Sequence, residues 1–215
     1  MDFLFVSGPH AVGKSYTMNK LANDLNMLLY DTGPIMRDYY KKLAPDKSMG
    51  EWINILESKY GKEITAYMLA KKLKDKMKQQ QYSGVIVVGF RTGDGILQFM
   101  NIVKSNDFAV LYVDGDIDLL YKNYNKRLAS TSNQRQDIIM TYEEFGCYID
   151  EELAGGLGEL RECALLKSPM TYYFKKKDNS DALYHYTRQI LEQTKEKSVI
   201  VQNDKENEIS YHERS

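Results

Sequence analysis

Ser7-Gly8-Pro9-His10-Ala11-Val12-Gly13-Lys14-Ser15 fits the pattern G-x-x-x-x-G-K-[ST] with nothing missing. Each residue type has a physical task. The glycines let the backbone curl until its N–H groups face a polyphosphate, Lys14 reaches the β- and γ-phosphates, and the Ser15 hydroxyl can ligate Mg²⁺. Pro9 and His10 occupy variable positions of the loop. A histidine there is expected to meet solvent or pack locally, so no catalytic role is assigned to it.

Other chemistry-bearing residues fall at the ends of apolar runs. Met27-Leu28-Leu29-Tyr30 reads as a short strand that ends on Asp31, before Gly33 and Pro34 stop the pairing. Val85-Ile86-Val87-Val88, the most β-branched run, reads as a central strand followed by Gly89-Phe90-Arg91-Thr92. Arg91 thus stands at a strand's carboxyl end, where open α/β sheets bind ligands. Asp114 follows a further strand, and an acid in a turn there is expected to cap or to be solvated. Arg127 and Arg135 bracket the polar stretch Ala129 to Asp137, which reads as a flap; its arginines have a purpose if they close over a transferring phosphoryl group.

These residues need a scaffold, and the pattern supplies one. Phe3-Leu4-Phe5-Val6 suits a buried parallel strand, and Met18, Leu21, Ala22 and Leu25 give Lys14 to Leu25 helical spacing. The loop therefore lies between a strand and a helix N-terminus, whose partial positive charge favours an anion. No strand signal appears from Ile35 to about Gln81; helices are expected from near Pro34, Ser48 and Lys62. This excursion is too long for a plain crossover and is suited to covering a substrate. The lysines from Lys71 to Lys78 read as a solvated helix face and Trp52 as packing.

Downstream, a helix from about Asp94 to Lys104, a strand over Phe108–Val113 and a helix over Ile117–Leu128 capped by Asp116 are expected. A helix from Thr141 to Leu153 should be stopped by Gly155-Gly156 and followed by a short helix towards Leu166, with Asp150, Glu151 and Glu152 as surface charges. Met170–Phe174 reads as the fifth strand, Asn179 or Ser180 as the cap of a helix to about Thr194, and Ser198–Val201 as an edge strand in a polar tail.

Composition bounds the function. With 29 Lys and Arg against 30 Asp and Glu among 215 residues, no global field attracts a nucleic acid polymer or an acidic membrane. Cys147 and Cys163 have no metal-ligand spacing and form no disulfide framework, which fits a reducing cytosol. No apolar run approaches membrane-spanning length, and Met1-Asp2-Phe3 enters the first strand without a basic leader, so a cytoplasmic protein is expected.

The motifs resemble those of the P-loop kinases of small metabolites, the nucleoside monophosphate kinase group with dephospho-CoA kinase beside it, over roughly residues 3–194. Asp31-Thr32-Gly33-Pro34-Ile35-Met36-Arg37 is similar to the D-[ST]-G-x-x-x-R segment of cytidylate kinases. That implies Arg37 as a clamp on the acceptor's phosphate and Asp31 near the metal or acceptor. Gly89-Phe90-Arg91-Thr92 is similar to D-G-F-P-R-T of adenylate kinases without the proline, and to D-G-[IF]-R-[ST] of archaeal nucleotide kinases, which makes Arg91 a second acceptor-side arginine. Arg135-Gln136-Asp137 and Gly156-Leu157-Gly158 resemble the lid and G-[LI]-G step of the archaeal group. Asp178-Asn179-Ser180 resembles the segment beside the donor's adenine.

One position departs. These families place an acid at the end of the third strand, and this sequence has Val88. Either Asp31 supplies the outer-shell acid for Mg²⁺, or the protein binds nucleotide with little turnover.

The expectation is a three-layer α/β P-loop NTPase fold with a five-stranded, mostly parallel sheet. One kinase domain spans 1–194, with a helical acceptor-binding insertion at about 35–82, a short lid at about 127–141 and a tail at 195–215. ATP lies along Gly8, Pro9, His10, Ala11, Val12, Gly13, Lys14, Ser15 and Tyr16, with Asn179 by the adenine. Ser15 and Asp31 hold Mg²⁺; Asp31, Arg37 and Arg91 bind a small phosphate-bearing acceptor; Lys14, Asp31, Arg127 and Arg135 carry the catalysis. A nucleoside or deoxynucleoside monophosphate leads as acceptor, dephospho-CoA or another small metabolite is the enzymatic alternative, and a nucleotide-binding sensor the non-enzymatic one. The chain is expected as a monomer or homodimer.

Overall fold

The computed structural model describes residues 1–130, 138–178 and 180–194. Arg135, Asn179 and the expected edge strand at Ser198–Val201 lie outside them. The chain alternates strands with helices: β1 (Phe3–Ser7), α1 (Lys14–Asp24), β2 (Leu28–Asp31), then α2 (Thr32–Leu43), α3 (Met49–Tyr60) and α4 (Ile64–Met77) before β3 (Val85–Val88). There follow α5 (Gly93–Val103), β4 (Phe108–Gly115), α6 (Ile117–Leu128), α7 (Tyr142–Glu152), a π-helical turn over Leu153–Leu157, α8 (Gly158–Leu165), β5 (Thr171–Lys176) and α9 (182–194).

The five strands form one parallel sheet in the order β2-β3-β1-β4-β5. Helices cover both faces, which is why the strands are continuous apolar runs instead of alternating ones. Phe3, Phe5, Val85, Val87 and Tyr112 face the layer made by α2, α3, α4, α5 and α8. Leu4, Val6, Ile86, Val88, Leu111 and Val113 face α1, α6, α7 and α9. The first layer is rich in rings: Phe90 and Phe99 meet Phe5 edge-on at centroid distances of 5.5 and 5.8 Å.

The excursion between β2 and β3 is helical throughout, as its periodicity predicts. Ser48 and Glu51 form a reciprocal capping box at the start of α3. Trp52 is buried against Tyr40, and Lys71, Lys72, Lys74 and Lys78 are exposed.

β2 ends at Asp31 as expected, and Thr32-Gly33-Pro34 forms the first turn of α2, which the Asp31 side chain caps through Gly33 N–H. Two local expectations are corrected. Asp116 precedes α6 without a side-chain cap and instead pairs with Lys175 at 2.6 Å. Asp114 lies inside β4 and is buried rather than solvated in a turn. The helical path breaks at Gly155, as expected: its backbone is non-helical (φ −90°, ψ −160°), and this kink separates α7 from α8.

Candidate active site

The loop after β1 curls as the glycine spacing requires. Gly8 has φ +137°, and a Cβ on it would lie 2.0 Å from the Val113 carbonyl oxygen. No other residue fits there. Ala11 adopts φ +60°, a left-handed conformation that costs a non-glycine residue about 1 kcal/mol. Asn123 of α6 holds it by donating to the Ala11 carbonyl at 3.0 Å. Such stored strain is common where backbone amides must point at a ligand. Lys14 Nζ spans the loop, donating to the carbonyls of Gly8 and Pro9 at 2.7 and 2.8 Å. Tyr16 stands 84% exposed beside Ser15 at the start of α1.

Ser15 Oγ, at the start of α1, donates at 2.7 Å to Asp31 Oδ2, at the end of β2. Asp31 is paired in register with Val88. A carboxylate thus stands one strand over from Val88, about 5 Å to the side. A hydroxyl and a carboxylate this close, beside a loop for phosphates, suit Mg²⁺. That ion takes one or two protein oxygens and fills its remaining positions from phosphate and water. One turn into α2, Arg37 is part-buried; a Cβ built on Gly33 would meet Arg37 Nη1 and Asp31 Oδ1, both at 3.3 Å. Arg37 and Asp31 thus flank the same glycine.

Arg91 is placed at the carboxyl end of β3, where Ser7 Oγ ties the chain by donating to the Phe90 carbonyl at 2.8 Å. Its Nη2 lies 2.6 Å from Glu152 Oε1 and 2.9 Å from His10 Nδ1. Glu152 is only 8% exposed, which corrects its reading as a surface charge; Asp150 and Glu151 are exposed as expected. Its carboxylate grips His10 twice, accepting the backbone N–H on Oε2 at 3.0 Å and contacting ring Nδ1 through Oε1. The Tyr148 hydroxyl, one turn earlier on α7, is 2.8 Å from the same Nδ1.

Burial works against the Glu152 charge, but the His10 hydrogen bonds and the Arg91 guanidinium outweigh it and pull the carboxyl down to about 2. Burial lowers the His10 pKa, opposed by Glu152 and helped by Arg91 and Lys14. At neutral pH the pair is a carboxylate and a neutral imidazole, with Arg91 as the compensating cation. The kink after α7 packs against the segment that carries Arg91. A Cβ on Gly156 would lie 2.3 Å from Thr92 Cγ2 and 2.9 Å from the Arg91 carbonyl oxygen, so only glycine lets the end of α7 close on the end of β3.

No protein-family model matches the sequence, and neither does any curated protein. Solved structures do match. A protein from Chloroflexus aurantiacus described as a candidate kinase superposes with a TM-score of 0.55 at 15% identity, covering 87% of this chain and 97% of its own. An uncharacterised protein from Eubacterium ventriosum gives 0.51 at 12% identity, over 89% and 98% of the two chains. Shikimate kinase from Bacteroides thetaiotaomicron gives 0.48 at 15% identity, over 94% and 98%. The parallel order β2-β3-β1-β4-β5, with the glycine loop between β1 and α1, decides the architecture. The chain has the P-loop NTPase fold.

In this P-loop fold the remaining expected residues are spread unevenly. Arg127 lies in the last turn of α6, its guanidinium 5.3 Å from the centre of the Tyr124 ring. Asp114 accepts from Arg161 Nε at 2.9 Å and from the Tyr173 hydroxyl at 2.7 Å, contacts that tie α8 and β5 to β4. Two features escape sequence reasoning. Lys176 ends β5 buried, where burial lowers its pKa against Asp178, and a Cβ on Gly13 would come within 2.7 Å of its Nζ. A second ammonium therefore stands behind the P-loop. The other is Glu152. It completes the inward stripe Phe145, Tyr148, Ile149, Glu152, and an acid at an apolar position of a helix is the signal that betrays it. Among the described residues no helix is long and apolar enough to cross a membrane.

Proposed function

We propose that the protein is an ATP-dependent phosphotransferase that moves the γ-phosphoryl group to a small phosphate-bearing acceptor. The observation that carries this reading is the Ser15–Asp31 hydrogen bond beside Lys14, with Arg37 one turn beyond Asp31. It supports reading the hydroxyl and carboxylate as a metal-binding pair beside an anion-binding arginine, an arrangement a simple nucleotide sensor does not need. In this reading Gly8 to Tyr16 bind the donor. Ser15 and Asp31 hold Mg²⁺, which when bound neutralises charge on the β- and γ-phosphates. Lys14 stabilises the transferring group, because phosphoryl transfer depends mainly on positioning and charge neutralisation. Arg37 orients the acceptor, and Arg127 and Arg135 close over the transferred group.

A nucleoside monophosphate belongs to this acceptor class and would attack through its own phosphate. Dephospho-CoA also belongs, and attacks through a hydroxyl. The buried Glu152 on His10 favours the second mode.

The test is ADP release from Mg²⁺-ATP with the purified full chain, against a panel of (deoxy)nucleoside monophosphates and dephospho-CoA. Stimulation by one of them is the expected result. Thermal stabilisation by ATP with no stimulated release by any of them would count for a sensor and against this reading.

A further inference from the structure

Glu152 and His10 form a pair that the phosphate-handling parts of the site do not use. His10 Nδ1 has three neighbours, Glu152 Oε1, the Tyr148 hydroxyl and Arg91 Nη2; only the first two can accept its single proton, and the Arg91 guanidinium, a donor alone, pairs with Glu152 Oε1 at 2.6 Å. The carboxylate is the strongest acceptor. With Nδ1 donating to Glu152, the lone pair of the neutral ring sits on Nε2, which makes no hydrogen bond to any described residue on a side chain that is 31% exposed. A carboxylate fixing one imidazole nitrogen so that the other accepts a proton is the arrangement of an oriented general base. Its place is equally specific. The ring belongs to the P-loop itself, within the field of Lys14 on the donor side and touching Arg91 on the expected acceptor side.

We propose that His10 is the general base of the reaction, positioned by Glu152, and that the acceptor therefore reacts through a hydroxyl. This rests on the kinase reading above. An acceptor phosphate is already anionic and needs no base, whereas an alcohol must lose its proton as it attacks. His10 Nε2 takes the hydroxyl proton while the acceptor oxygen bonds to the γ-phosphorus. The bond from that phosphorus to the bridging oxygen breaks, its electron pair remaining on the β-phosphate of ADP. Glu152 stabilises the imidazolium until the proton leaves to solvent. With Arg37 read as the arginine for a phosphate elsewhere on the acceptor, the substrate class is a phosphate-bearing alcohol. Glu152 acts through His10 and is a positioning residue. The groups facing the ring are Glu152 and Tyr148 from α7, Arg91 after β3 and Lys14 from α1.

A contact that merely anchored α7 to the loop would leave rate and proton dependence alone, and that separates the two roles. Steady-state ADP release is measured for the full chain with Mg²⁺-ATP and, in turn, dephospho-CoA, nucleosides and nucleoside monophosphates, from mildly acidic to mildly alkaline pH. Release stimulated by a hydroxyl acceptor is expected, with an acid limb in kcat. His10→Gln should lower kcat about 10²- to 10⁴-fold and abolish that limb. Imidazole should restore part of the rate to His10→Ala, and Glu152→Gln should move the limb. If the variants fold poorly, the acid limb of the natural chain is read directly, and its absence would overturn the inference. So would full kcat in folded His10→Gln, or transfer to nucleoside monophosphates alone; both leave the kinase reading standing. ATP binding without release by any acceptor, or no ATP binding, would overturn the kinase reading and this inference with it.

Discussion

Ser15 Oγ and Asp31 Oδ2 are 2.7 Å apart, and the other oxygen of the same carboxylate accepts the Gly33 N–H that starts α2. One side chain thus joins the metal side of the P-loop to the first turn of the helix that carries Arg37.

The two duties of Asp31 separate by substitution. Asp31→Asn keeps an oxygen for Gly33 and loses the charge, so it should raise the Mg²⁺ concentration for half-maximal ADP release about tenfold or more with little change in thermal stability. Asp31→Ala should add a loss of about 1 kcal/mol, the value of an N-cap, seen as a lower urea midpoint.

Arg37 is assigned to the acceptor and not to ATP. Arg37→Ala should raise the acceptor KM about tenfold or more, while calorimetric titration with Mg²⁺-ATP stays unchanged; a charge-assisted bond to phosphate is worth about 1.5–3 kcal/mol. A loss of ATP binding would reverse the division of the site.

The loop backbone gives opposite results at two neighbouring positions. Gly8→Ala puts a Cβ 2.0 Å from the Val113 carbonyl oxygen at φ +137° and should prevent stable folding or ATP binding. Ala11→Gly relieves a left-handed conformation and should stabilise the chain by up to about 1 kcal/mol in urea unfolding, with ATP binding retained.

Glu152 makes stability depend on acid. Its folded pKa of about 2 lies below the ordinary 4.5, so the unfolded chain binds the proton first. The contribution is complete above about pH 4.5 and is lost as pH falls towards 2, with a full value of about 3 kcal/mol. The lowered pKa of His10 acts in the same sense, since an imidazole that protonates more readily when unfolded disfavours the fold below 6.5. Urea midpoints measured down through pH 4.5 should fall in the natural chain and fall less steeply in Glu152→Gln.

The parts of this site that could be read from sequence are those set by local spacing. Gly8, Gly13, Lys14 and Ser15 are adjacent in the chain, and their geometry follows from backbone freedom and helix onset. Asp31 and Arg91 were legible as ends of apolar runs, but which residues they touch depends on the parallel register that sets Asp31 beside Val88. Glu152 lies 142 residues from His10, so no local spacing announces their contact. Lys176 was hidden in a run of three lysines, of which burial singles out one. Asp114 was placed in a turn because β4 runs two residues beyond its apolar stretch.

The most direct test follows the γ-phosphoryl group itself. The full chain is incubated with Mg²⁺ and γ-labelled ATP, with and without the acceptor that most stimulates ADP release, and the label is traced. The present account predicts label covalently bound to the acceptor in step with ADP, and its loss in Lys14→Ala. Label recovered only as ATP or free phosphate, with every acceptor offered, would contradict it.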